Sequence, residues 1–136
     1  EFAYPNVLGE GWGLTYDGKH LIASDGSKQL YFLDPKDPSK IIRTISVAGN
    51  TEVYDQLNEL EYHNDFIYAN VWHKPIILKI DPETGAVTAR LDFTKITDEN
   101  TKEDREHTLN GIAFKGENML VTGKNWPKIY EVVIKQ

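Results

Sequence analysis

One offset, 52 positions with nothing inserted or deleted, relates the middle of this chain to its end. It links Asn58 to Asn110, Trp72 to Lys124, Ile77 to Ile129 and Ile80 to Val132. A shorter offset relates the beginning to the middle: Trp12 precedes Asn58 by 46, and Asp34-Pro35 precedes Asp81-Pro82 by 47. Three units of about 50 residues therefore follow one another, a period at which each unit buries its faces against its neighbours.

Each unit divides into short apolar runs separated by turn residues. In the middle unit the runs are 57–62, 66–72, 76–80 and 87–93, with Asp81-Pro82-Glu83-Thr84-Gly85 as the strongest separator. There the proline presets φ and the glycine supplies a positive φ. The first unit gives runs at 13–16, 20–24, 29–33 and 41–47; the third gives 110–114, 119–122 and 129–134 and no fourth. Residues 1–8 read as the outer strand of a preceding unit. Four antiparallel strands repeated at about 50 residues describe the blade of a β-propeller, whose rings hold about four to eight blades. The expected fold is all-β, with blades at 9–47 and 57–93, an incomplete one at 109–136, and fewer than three complete blades in all. Open blade faces are an association hazard. A complementary chain or a second copy is therefore expected to close the ring. A β-sandwich of the same strands would leave the repeat unexplained.

Composition narrows the function. The net charge is −6, and no basic run of five or more residues occurs, which argues against nucleic acid as the partner. No apolar run approaches a membrane span, and the absence of cysteine excludes disulfides, thiolate metal sites and cysteine nucleophiles. The four histidines (His20, His63, His73, His107) lack metal-ligand spacing, and no phosphate-binding or serine-hydrolase motif is present.

The repeat itself indicates where a site would lie. Trp12, Asn58 and Asn110 are equivalent at the start of the first strand of each unit. Gly26 (or Asp25), Trp72 and Lys124 are equivalent at the end of the second. Antiparallel strands bring both sets, and the connections 48–56 and 94–108, to one end of the blades. Positions that serve packing alone tend to repeat the same residue; these do not, which marks them as a site. Glu59 and Glu61 face one side of a strand and could bind a cation or act as acid and base, but a structural role between blades is favoured. Ser24-Asp25-Gly26-Ser27 reads as a turn, and 94–108 as a charged, solvated connection with room for a helical turn.

At these residues the chain resembles the plant-type and bacterial glutaminyl cyclases. The resemblance runs through Gly9-Glu10-Gly11-Trp12-Gly13-Leu14-Thr15, Ser24-Asp25-Gly26-Ser27, Leu57-Asn58-Glu59-Leu60-Glu61, Ala69-Asn70-Val71-Trp72, Leu109-Asn110-Gly111-Ile112-Ala113 and Thr122-Gly123-Lys124-Asn125-Trp126-Pro127. It implies the carboxy-terminal half, or slightly more, of a five-bladed propeller that needs no cofactor or metal. The implied reaction cyclises an N-terminal glutamine of a peptide or protein to pyroglutamate with loss of ammonia. It also implies roles: Trp12 and Trp72 as aromatic walls, Asn58 and Asn110 toward the substrate, and Lys124 toward the acidic centre. The proton-transferring glutamate falls in a Phe-Gly-Glu-Gly motif of an upstream blade. In repeat register that glutamate corresponds to Trp12, not Glu10. The chain alone is therefore expected to be inactive, and a secreted, periplasmic or vacuolar setting follows by analogy. Two other readings stand beside this one. A non-catalytic propeller module would bind peptide or protein, and a metal-dependent lactonase-like propeller would use Glu59 and Asn58 as ligands.

Overall fold

The structure, a computed structural model, describes residues 1–135, so position 136 of the third expected unit lies outside it. The strands fall into three sheets. The first holds β1 (Gly13–Tyr16), β2 (Leu21–Ser24), β3 (Gln29–Asp34) and β4 (Asp37–Ser46). The second holds β5 (Leu57–His63), β6 (Phe66–Val71), β7 (Ile76–Ile80) and β8 (Val87–Asp92). The third holds β9 (Leu109–Lys115), β10 (Asn118–Gly123) and β11 (Tyr130–Val132). Each sheet is an antiparallel meander in chain order, and the first strands β1, β5 and β9 lie side by side. This is a partial β-propeller, as the repeat requires.

The side chains explain the stacking. A residue's neighbours on a strand point to opposite faces, so a sheet buried on both faces reads as a continuous apolar run. β2, β3, β6 and β7 are such runs. Ile22, Leu30 and Phe32 of the first sheet meet Ile67, Ala69, Leu78 and Ile80 of the second in one core. The alternate residues Tyr68 and Ile77 meet Leu109, Ile112, Met119, Val121 and Trp126 in another. On the far face of the first sheet, Ala23, Tyr31 and Leu33 form a small cluster with Leu8 and the partly buried Leu21. Leu14 and Tyr16 are more than half exposed there. That face has the composition of a blade seam without a second blade.

One expectation changes. Residues 1–8 form no strand: Asn6–Leu8 is a short 3-10 turn, and Leu8 tucks against the first sheet. Nothing in the described residues offers that segment a ladder to join, and Pro5 withholds a backbone donor. The 94–108 connection uses its room for a helical turn: it opens with helix α1 (Thr94–Asn100), none of whose residues is fully buried. Buried Phe93 and partly buried Ile96 tie the helix to the second core, and the Asn100 side-chain amide donates to Ile96 O and Tyr130 Oη (2.8 and 2.9 Å).

Candidate functional site

The two asparagines lie in equivalent irregularities. Between β5 and β6 the register passes from Leu57↔Val71 to Leu60↔Ala69, and between β9 and β10 from Leu109↔Gly123 to Ile112↔Val121. Each inner strand thus carries one extra residue, a β-bulge, the device by which a strand re-aims a side chain. Asn58 and Asn110 sit in these bulges. Trp12 stands just ahead of β1, its N–H donating to the Ser24 carbonyl (3.0 Å).

Gln56, with φ of 59°, gathers the ends of the second strands. Its N–H donates to the Gly26 carbonyl and its own carbonyl accepts from Trp72 N–H, both at 2.9 Å. One unit later, Thr108 accepts from Lys124 N–H at 2.9 Å. The ends of β2, β6 and β10 are therefore fastened to the segments that lead into β5 and β9.

This fastening brings Trp12 and Trp72 into contact. Their ring centroids are 5.5 Å apart and their planes 81° apart, an edge-to-face pair. Trp12 lies on Gly26, where any Cβ would come within 2.6 Å of the indole and where φ is +82°. Only glycine suits that position. The Trp12 indole N–H donates to Glu10 Oε1 at 2.5 Å. Trp72, 39% exposed, packs its other side on His73 at 4.1 Å between ring centroids. His73 Nε2 lies 3.8 Å from Glu106 Oε1, which ties this wall to the connection ahead of β9. The rings meet at a corner and leave no slot between them.

Polar contacts across the seams hold the bulges in place. The Ser24 hydroxyl donates to the Asn58 carbonyl (2.6 Å), and Gly111 N–H donates to Asn70 Oδ1 (3.3 Å). Ser24 and Asn70 are equivalent at the offset of 46, and both are fully buried. Asn70 Nδ2 and Asn110 Oδ1 are buried without partners. Burial raises Glu59 above the ordinary carboxylate value, partly offset by hydrogen bonds from the Ile112 and Leu60 N–H groups. Glu61 is raised by burial and then by the charge of Glu59. Glu59 lines a small cavity with Gly111 and Ile112 of the third sheet, which puts it at a seam. Among the described residues, no cluster of three or more histidine, aspartate or glutamate side chains is placed to hold a metal ion.

The family model for glutamine cyclotransferase matches residues 1–134. This chain belongs to that family. A glutaminyl-peptide cyclotransferase of Arabidopsis thaliana is 38% identical over 137 residues, which cover 98% of this chain and 42% of that protein. The crystal structure of Myxococcus xanthus glutaminyl cyclase superposes with a TM-score of 0.83 at 36% identity, over 90% of this chain and 54% of that one. A hydrazine synthase structure from Kuenenia stuttgartiensis matches at 0.58 and 15% identity, over 90% of this chain and 32% of that one, a likeness of fold alone. This member of the glutamine cyclotransferase family spans about half the length of the relatives it matches.

Of the five residues singled out in the sequence, the structure places Trp12 and Trp72 in contact and Asn58 on the adjoining bulge. Asn110 and Lys124 lie one unit further round. Lys124 is exposed and takes part in no ion pair among the described residues. Trp12, Gly13 and Glu59 also line a cavity of about 530 Å³ with Phe2, Tyr4 and Leu14, which opens on the uncovered face of the first sheet. Gln56, Ser24, Asn70 and His73 support the site without having been singled out for it in the sequence, although Ser24 and Asn70 fall within motifs of the resemblance. The signal that reaches the first three is the offset, which aligns Glu10 with Gln56 and Thr108, and Ser24 with Asn70 and Thr122.

Proposed function

We propose that this chain forms one side of the substrate pocket of a glutaminyl-peptide cyclotransferase, an acyltransferase that converts N-terminal glutamine to pyroglutamate. The observation that carries this reading is the Trp12–Trp72 corner beside the Asn58 bulge, at the edge of an uncovered blade face. In the reaction the α-amine of the substrate attacks its own side-chain amide carbon. The new C–N bond closes a five-membered lactam and the attacking nitrogen gives up one proton; the old C–N bond breaks, and the departing nitrogen takes up one proton to leave as ammonia, so the net step is a proton shuttle between the two nitrogens. No nucleophile from the protein is consumed, which suits a chain without cysteine. What the protein supplies is orientation, a field for the developing oxyanion and a proton donor.

In this reading the indole corner holds the apolar stem of the glutamine in a bent conformation. Asn58 hydrogen-bonds the substrate, Asn110 lines the pocket beyond it, and the unpaired ammonium of Lys124 acts on the acidic centre. The proton-transferring glutamate comes from the complementary segment that covers the first sheet, and the described residues alone are inactive. The test is ammonia release from a glutaminyl peptide by the assembled propeller. Trp72→Ala and Lys124→Ala should each lower turnover, by about a hundredfold or more for the lysine if its charge stabilises the transition state. Near-wild-type turnover in both would remove the assignment.

A further inference from the structure

We propose that Glu10 is a positioning residue, which fixes the Trp12 indole so that its edge-to-face contact with Trp72 persists. The inference rests on Trp12 and Trp72 being the substrate-facing corner. An indole at the open end of a blade has several staggered rotamers to choose from. Here three contacts select one. The ring lies on Gly26, it meets Trp72 at 5.5 Å, and its N–H donates to Glu10 Oε1 at 2.5 Å. The first two contacts are apolar and resist the ring sliding little. The third is a hydrogen bond from the indole N–H to a carboxyl oxygen at the exposed end of the blade; it is the one directional contact of the three, and it sets the rotation of the indole about its own axis.

The repeat places Glu10 among the residues that lead into the first strand of each unit. Glu10 is equivalent to Gln56 at the offset of 46, and Gln56 to Thr108 at 52. Those two positions fasten the neighbouring wall residues through their backbone carbonyls, Gln56 to Trp72 and Thr108 to Lys124. In the first unit the equivalent of Trp72 and Lys124 is Gly26, and the Glu10 side chain reaches instead to Trp12, the equivalent of Asn58 and Asn110. This also accounts for a Gly-Glu-Gly sequence beside the pocket that is out of register with the family's proton-transferring glutamate. Glu10 holds a wall and does not touch the reacting atoms.

Two indoles in contact give an exciton couplet in circular dichroism, and its amplitude reads their mutual orientation in this chain without any need for turnover. Trp72→Phe identifies the couplet by abolishing it. Glu10→Gln keeps a carbonyl acceptor at the same place and should keep the couplet. Glu10→Ala should reduce it to about half or less, because the edge-to-face geometry is specific. Thermal unfolding followed at a backbone wavelength establishes that both variants are folded. A wild-type couplet in folded Glu10→Ala would overturn the proposal, as would equal loss in the glutamine and alanine variants. Glutaminyl-peptide binding to the assembled propeller separates the proposal from the site reading beneath it. If the couplet falls in Glu10→Ala while neither that variant nor Trp12→Ala changes peptide affinity, Glu10 positions Trp12 and the corner is not the substrate site.

Discussion

Gly13→Ala tests the seam on which the site is built. A Cβ at that position would lie 2.0 Å from the Asn58 carbonyl oxygen and 2.9 Å from Ser24 Oγ. The nearer obstacle is backbone, so no rotamer change relieves it. Even a contact at the 3.0 Å lower limit requires the first and second sheets to part by 1.0 Å. Parting them stretches the 2.6 Å hydrogen bond from the Ser24 hydroxyl to Asn58, and Ser24 is fully buried. Overpacking costs about 1–3 kcal/mol, and a buried polar group left unpaired about 1–3 kcal/mol. The lower entropy of unfolded alanine returns about 0.4–1 kcal/mol. A net loss of about 1–6 kcal/mol is expected, measured by urea unfolding with linear extrapolation. Gly11→Ala is the control, because its Cβ would meet only Tyr4 at an ordinary 3.9 Å. A loss below about 0.5 kcal/mol in Gly13→Ala, the range of neutral surface changes, would refute the close approach of the two inner strands.

The other predictions concern the second seam and the buried carboxylates. Asn70→Ala should destabilise the chain by about 1–3 kcal/mol and speed hydrogen exchange at the Gly111 amide, which loses its acceptor. Unchanged exchange at Gly111 would mean that Asn70 does not hold the bulge. Glu59 has a folded pKa raised above the ordinary 4.5, chiefly by burial. The stability linked to a raised group is complete below that value and is lost as pH rises through the folded one. Glu59→Gln should therefore match the wild type in acid and become the more stable protein toward neutral pH. Urea unfolding across that window would contradict the reasoning if the variant were the weaker one at neutral pH.

How far the fold could be read from the sequence follows from where each feature originates. The middle unit was legible almost to the residue: the expected run at 76–80 is β7, and 57–62, 66–72 and 87–93 differ from β5, β6 and β8 by one residue at an end. Apolar runs, turn residues and an ungapped offset agree there. The first unit was less clear, because β4 begins at Asp37 and not at Ile41, in a tight hairpin where Asp34 pairs with Asp37. Residues 1–8 carry apolar side chains that suit a strand, yet a strand also needs a ladder, and a ladder is a property of a neighbour. The helix at Thr94–Asn100 depends on Phe93 and Ile96 finding the second core, which no local pattern announces.

The site divides in the same way. That Trp12, Trp72 and Asn58 share one end of the blades follows from strand direction and repeat register. That the indoles meet edge to face, and that Ser24 and Asn70 fasten the bulges, depends on contacts between blades. Such contacts leave only a faint mark in sequence: a buried polar residue recurring at a fixed offset. Glu59 shows the reverse case, conspicuous beside Glu61 and yet set against Gly111 and Ile112 at the seam between the second and third sheets.

Ammonia release from a glutaminyl peptide tests the central proposal most directly. The assay compares this chain alone with this chain combined with the amino-terminal part of a full-length glutaminyl cyclase. The account predicts no turnover by the chain alone and turnover on combination, lost in Trp72→Ala and Lys124→Ala. Turnover by the chain alone, or combined turnover indifferent to both substitutions, would contradict it.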